Sequence, residues 1–257
     1  MASDLEFLRG ALRLLCPGTD WFWLLKIIRR LSATAPRCSQ KYHLVTSDRL
    51  FALGINLMDR AIADAEVEKC TRSSHALQYR DGLMIVFLAM IPLRSRTFAA
   101  LRIGHHLTKA GELWELEIAA PETKSRGPLE YPISDELSKR IDLFLDRFRK
   151  HIPGANNHTA LWPSIAGCPM TADAIYVAIC RQTKKAFGFG VNLHRFRHAA
   201  ASFWSTNDPT NVQGVKDLLG HASFNTTERH YVMAQSRIAG RALAQVISYV
   251  GKRPSVR

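Results

Sequence analysis

The chain has 257 residues, 47% of them apolar, and a formal net charge of +13. That is long enough for one large or two modest domains with a real core. A basic excess spread along the chain favours a polyanionic partner, nucleic acid before an anionic membrane. Five cysteines (Cys16, Cys38, Cys70, Cys168 and Cys180) without a C-x-x-C pair argue against a disulfide framework or a zinc knuckle. No basic-then-apolar leader opens the chain, and the longest apolar run, Leu83 to Leu93, is too short to span a bilayer. A reducing cytoplasmic setting without membrane insertion is therefore expected.

In chain order, residues 4–15 and about 20–35 read as helices. Asp20 can cap the second, and Trp21, Trp23, Leu24, Ile27, Ile28 and Leu31 give it an apolar stripe. Residues 37–46 form a short basic linker. Ser47 or Asp48 opens a longer helix to about Cys70, and Ser73 and Ser74 lead into another. Leu83 to Met90 is apolar on nearly every face, which suits a helix at the centre of a core. Pro92 stops it, and Leu93-Arg94-Ser95-Arg96 begins the next helix.

From His105 to Ile133 the periodicity changes from helix to strand. Trp114, Leu116 and Ile118 alternate with Glu115 and Glu117, after a turn at Lys109-Ala110-Gly111. Thr123 to Gly127 marks a second turn, and Leu129 to Ile133 a further strand. Ser134 caps a helix to about Arg149, on which Lys139, Arg140, Arg147, Arg149 and Lys150 are expected to form a wet face. A Pro- and Gly-bearing loop covers 151–169, and Thr171 opens a helix that ends at Gly188. Further helices are expected over 193–205, 209–219 and 234–250.

The stretch from Leu193 to Val232 concentrates the chemistry. His194 and Arg197 are three apart and share a helical face. Gly220 reads as a helix stop that leaves His221 in the turn. Asn225 with Glu228 reads as a capping box, which places Tyr231 on the second turn of a new helix. Arg and His donors would converge on a phosphate with a hydroxyl near enough to attack it. His194 and His198 at i, i+4 could suggest zinc, but the intervening Arg195-Phe196-Arg197 lacks the Glu of a zinc-peptidase helix, and cationic neighbours disfavour a bound cation. No metal or other cofactor is expected.

His194-x-x-Arg197, Gly220-His221, Tyr231, Leu93-Arg94-x7-Arg102 and the hairpin lysine Lys124 together resemble the tyrosine recombinases, the phage-integrase type of DNA strand-exchange enzyme. Each piece is weak by itself; the ordered set is specific. Two positions depart from the family pattern. Thr97 stands where an acidic residue often follows the first arginine, and Tyr231 falls ten residues after His221, where nine is common.

The resemblance implies a mainly α fold with a small three-stranded antiparallel sheet, the catalytic domain of DNA breaking-rejoining enzymes. It implies a catalytic domain over 47–257, preceded by a short helical segment at 1–36 that would be the remnant of a core-binding domain. Arg94 and Arg197 would hold the two non-bridging phosphate oxygens, since a planar guanidinium matches phosphate geometry. Tyr231 would attack, His194 would take its proton, His221 would donate to the phosphate, and Lys124 would protonate the departing 5′ oxygen. Arg126, the alternative to Lys124, and Arg181, Lys184 and Lys185 are candidate DNA contacts. The product would be a 3′-phosphotyrosyl link on double-stranded DNA, formed by a dimer to tetramer of the chain. Two other expectations stay open: an inactive, truncated DNA-binding remnant of a mobile-element integrase, and a type IB topoisomerase-like relaxase.

Overall fold

The apolar helix expected at the centre of the core is α4, Ser73–Met90, and from His75 to Ala89 nearly every side chain is buried. The structure, a computed structural model, describes residues 2–34, 45–123 and 128–207. These fall in two compact units, Met1–His43 and Leu44–Arg257.

The first unit holds α1, Ala2–Leu15, and α2, Phe22–Thr34. Asp20 caps α2 as expected, its Oδ1 accepting the Phe22 N–H at 2.8 Å. The apolar stripe is split: Leu24 and Ile28 are buried, whereas Trp23 and Ile27 are exposed.

In the second unit, α3, Ser47–Val67, lies against α4. The two helices come into close contact at a glycine pair. A Cβ added to Gly82 would sit 2.7 Å from the Gly54 carbonyl oxygen, and one added to Gly54 would sit 2.6 Å from Val86 Cγ2. Only hydrogen fits at that crossing, so both glycines serve close approach rather than flexibility.

After α4 come α5, Ser95–Ala99, and a three-stranded antiparallel sheet of β1, Leu107–Ala110, β2, Leu113–Ile118, and β3, Leu129–Pro132, in that order. The alternation expected in β2 is observed: Trp114, Leu116 and Ile118 are buried and Leu113, Glu115 and Glu117 exposed. Register pairs Leu107 with Leu116 and Leu116 with Tyr131. Lys109, expected in the turn, lies inside β1 and ion-pairs Asp142, which also accepts the Trp114 indole N–H.

Helix α6, Asp135–Leu143, is capped by Ser134, passes into a π-helical turn at Phe144–Phe148 and ends in a 3₁₀ turn at Arg149–His151. The wider turn puts Phe144 and Phe148 against Tyr79, with ring centroids 6.1 and 4.3 Å away. It also corrects the expected wet face. Arg149 is buried, donates to the carbonyls of His158 and Ala160, and has its pKa lowered by burial. Helix α7, Ala172–Phe187, is capped by Thr171 and stops at Gly188, whose φ of 81° is a left-handed C-cap. The last described helix is α8, Leu193–Asn207. Ala199, Ala200 and Ala201 are buried, and their small side chains let α8 approach α4. Among the described residues no helix is long and apolar enough to cross a membrane.

Candidate DNA-cleavage site

Arg94, His194 and Arg197, 100 or more residues apart in sequence between the first and the others, line one open cleft of about 890 Å³. Three local arrangements bring them there.

Arg94 is the N-cap of α5, its carbonyl accepting the Phe98 N–H at 2.8 Å. Phe98 is fully buried between Phe87 and Trp162, and the Trp162 indole donates to the Phe98 carbonyl at 3.0 Å. The core thus grips α5 by Phe98 and leaves Arg94, one turn earlier, at the cleft. Because α5 is a single short turn, its dipole adds little for an anion held at Arg94.

The start of α8 is built from the other side. Thr183 of α7 donates to the Ile179 carbonyl and accepts the Val191 N–H at 2.8 Å, which pins the connector. Asn192 then caps α8, its side chain accepting the Arg195 N–H at 2.9 Å. Leu193 and Phe196 face the core, so His194 turns to the cleft while Arg197 lies buried beside it. Arg197 Nη1 donates to the Pro92 carbonyl, two residues before Arg94. That bond ties the two arginines to one stretch of chain.

The electrostatics of this wall are cationic. Burial first, and the charge of Arg94 second, lower the pKa of Arg197 to about 10. Burial first, and Arg197 second, hold His194 below the ordinary imidazole range. An anion placed here would offset both penalties.

The third wall is the 3₁₀ turn that follows β2, through Pro121 and Glu122, with Thr123 after it. Buried His106 organises it. Its Nδ1 accepts the Arg102 N–H at 3.1 Å, so its proton sits on Nε2, which donates to Glu122 Oε1 at 3.1 Å. That hydrogen bond holds the Glu122 carboxylate below its usual range. His105, His106 and Glu122 have their ligand atoms within 4.8 Å of one another. As a metal site the group is poorly suited, because His106 Nε2 has no lone pair to give while Nδ1 keeps its bond to Arg102.

Lys124 and Arg126 directly follow this wall in sequence but lie outside the described residues, as do His221 and Tyr231. Of the candidate DNA contacts on α7, Lys184 and Lys185 are exposed on its last turn. Arg181 is half-exposed and donates to buried Asp81 at 3.1 Å, so part of its donor capacity is already used inside the protein. Three cleft features were not legible beforehand. Arg96 and Glu122 line the cleft, and His198 Nε2 lies 2.8 Å from His194 Nε2. The i, i+4 spacing of the two histidines was the available signal, and it points to a hydrogen bond rather than a metal.

The fold and sequence have known counterparts. No curated protein matches the sequence significantly. Among solved structures, the XerH site-specific recombinase bound to palindromic difH substrate in a post-cleavage complex matches with a TM-score of 0.56 and 18% identity over 80% of this chain and 54% of that one. The XerH pre-cleavage complex with difH matches with a TM-score of 0.53 and 19% identity over 76% and 51%. The XerA recombinase matches with a TM-score of 0.54 and 16% identity over 100% and 84%. At this identity the likeness speaks to fold, and the chain spans about half the length of the XerH chains. The model of the phage integrase family matches residues 60–237, well over half of the chain. With that match, and with the mainly helical fold and three-stranded sheet it shares with these recombinases, the chain belongs to the phage integrase family, the tyrosine recombinases.

Proposed function

We propose that the chain is a site-specific DNA recombinase that cleaves and rejoins strands through a 3′-phosphotyrosyl intermediate. The observation that carries this is the convergence of Arg94, His194 and Arg197 on one cleft with a cationic, partly desolvated wall. A phosphodiester repels an incoming nucleophile, and two preorganised guanidiniums on its non-bridging oxygens remove much of that barrier. Donors of this type contribute roughly 3–4 kcal/mol each to the transition state.

In the proposed reaction the Tyr231 oxygen bonds to phosphorus, its proton passes to His194, and His221 donates to a phosphate oxygen. The bond to the 5′ oxygen breaks, and Lys124 protonates that oxygen as it leaves. The phosphotyrosyl link keeps the bond energy for rejoining, so no nucleotide is consumed. Lys184, Lys185, Arg126 and the exposed side of Arg181 would follow the DNA backbone. The working form would be a dimer to tetramer on double-stranded DNA.

A nicked suicide substrate tests the proposal. Wild type should trap a covalent protein–DNA adduct on a denaturing gel, and Tyr231→Phe should trap none while binding DNA as before. Salt-dependent binding without an adduct would leave only a DNA-binding remnant. An adduct that persists in Tyr231→Phe, or that maps to Tyr249, would move the nucleophile. Cleavage should survive EDTA, because side chains fill every acid, base and anion-binding role.

A further inference from the structure

His194 and His198 lie one turn apart on α8, and their Nε2 atoms are 2.8 Å apart with ring planes at 86°. That distance is a hydrogen bond, and an N–H···N bond admits one proton. The two rings therefore cannot both carry a proton at Nε2, and they cannot both be imidazolium. His194 is exposed on the cleft, and His198 is half-buried behind it. The neutral imidazole of His194 has one N–H and one lone pair. Whichever role its Nε2 takes toward His198 decides what its Nδ1 can do.

We propose that His198 is a positioning residue for the strand-cleavage reaction: it accepts the Nε2–H of His194 and so leaves the Nδ1 lone pair of His194 to take the nucleophile's proton. This rests on His194 acting as the general base. The opposite direction, with His198 donating, would give His194 an Nδ1–H and make it a donor only. When the phenol O–H bond breaks, its proton goes to His194 Nδ1 as the tyrosine oxygen bonds to phosphorus. The new imidazolium then donates to His198 through a charge-assisted hydrogen bond. His198 would hold the ring and stabilise its charged form beside Arg197 without touching the DNA. A carboxylate in that place would add its own negative charge near the phosphate; a neutral imidazole accepts the same bond without that repulsion.

The test reads the tautomer directly. The full chain, labelled with ¹⁵N-histidine and free of DNA, is examined by imidazole ¹⁵N NMR near neutral pH, with His194 assigned by its loss in His194→Gln. Wild type should show a protonated Nε2 and an unprotonated Nδ1 at His194. His198→Phe keeps a ring of similar shape without the acceptor, and should return His194 to an exchange average of both tautomers. His198→Gln, whose amide oxygen can accept the same bond, should restore the single tautomer. On the suicide substrate, His198→Phe should form adduct about tenfold more slowly with DNA affinity unchanged, a fraction of what a general base contributes. His198→Gln should recover to within about threefold. A wild-type His194 protonated on Nδ1, or a His194 spectrum unchanged in His198→Phe, would overturn the proposal. Absence of any wild-type adduct would instead overturn the recombinase function, while the tautomer measured without DNA still decides the pairing. Should His198→Phe fail to fold, a His198→Gln protein without the single tautomer would equally overturn it.

Discussion

Arg80 and Arg197 are both buried guanidiniums beside the same central helix, and the protein handles them in opposite ways. Arg80 sits on α4 next to Asp81, and its Nε and Nη2 donate to Asp81 Oδ1 at 3.1 and 2.7 Å while Nη1 donates to the Pro163 carbonyl at 2.7 Å. The other oxygen of Asp81 accepts from Gln182 and Arg181 of α7. That network joins α4, α7 and the loop after Trp162, and the charge of Arg80 is met inside the fold. Arg197 donates to the Pro92 carbonyl, and the influences that lower its pKa are burial and a second cation. Burial and the neighbouring Arg94 both disfavour its charge, and an anion in the cleft would favour it. Arg80 is thus tied into the scaffold, whereas Arg197 lines the cleft that the proposed function assigns to the scissile phosphate.

The largest expected effect tests the scaffold side. Asp81→Ala would leave Arg80 buried without its carboxylate and release Arg181 and Gln182 together. It should lower unfolding free energy by about 3–5 kcal/mol in urea titration. A loss under about 1 kcal/mol would mean that the network does not anchor α4 to α7.

Arg197→Met tests the other side. It removes a desolvated charge and keeps length and apolar bulk but leaves the Pro92 carbonyl without this donor, so stability should fall by about 1–3 kcal/mol, less than for Asp81→Ala. Adduct formation should slow by roughly two to three decades. A large loss of stability with modest loss of rate would erase the contrast with Arg80.

Gly82→Ala sharpens the comparison from the core itself. The new methyl would meet the Gly54 carbonyl and Met58, with a cost of about 1–3 kcal/mol. Melting temperature should fall, while the single-turnover adduct rate, measured well below the melt, should change little. A rate lost in parallel with stability would show that the α3–α4 crossing and the cleft are one mechanical unit.

The smallest effect is in the pH dependence. The pKa of His194 is lowered in the folded chain by burial and then by Arg197. Its contribution to stability is fully present above the ordinary value of about 6.5 and is lost as pH falls through the folded value. His194→Gln should flatten that acid-side slope in thermal melts. The cleft is open, so solvent screens the effect and the slope is shallow. A steeper acid-side loss in the variant would contradict the sign.

Much of the fold was legible in the sequence because its signals are local. Helical periodicity marked α3, α4, α6 and α7, and strict alternation marked β2. Asp20, Ser134, Thr171 and Gly188 stood where caps act, since a cap depends on residues within one turn. The His194-x-x-Arg197 spacing put both side chains at one end of α8, and both line the cleft.

The tertiary structure decided what depends on distant partners. Arg149 looked like a solvent-facing charge, but a π-helical turn shifts the register after Leu143, and the carbonyls of His158 and Ala160 wait where it lands. The glycine pair of α3 and α4 has no sequence signature, because a close crossing is a property of two helices and not of either alone. Spacing pointed to Arg197, but nothing local marked Arg80 as buried or named the Pro163 carbonyl as its partner 83 residues away. What separates them is which atoms the fold brings within 3 Å or so, the range over which a hydrogen bond acts. Arg80 meets the Pro163 carbonyl beside its own neighbour Asp81, and Arg197 has the Pro92 carbonyl and Arg94 among its surroundings.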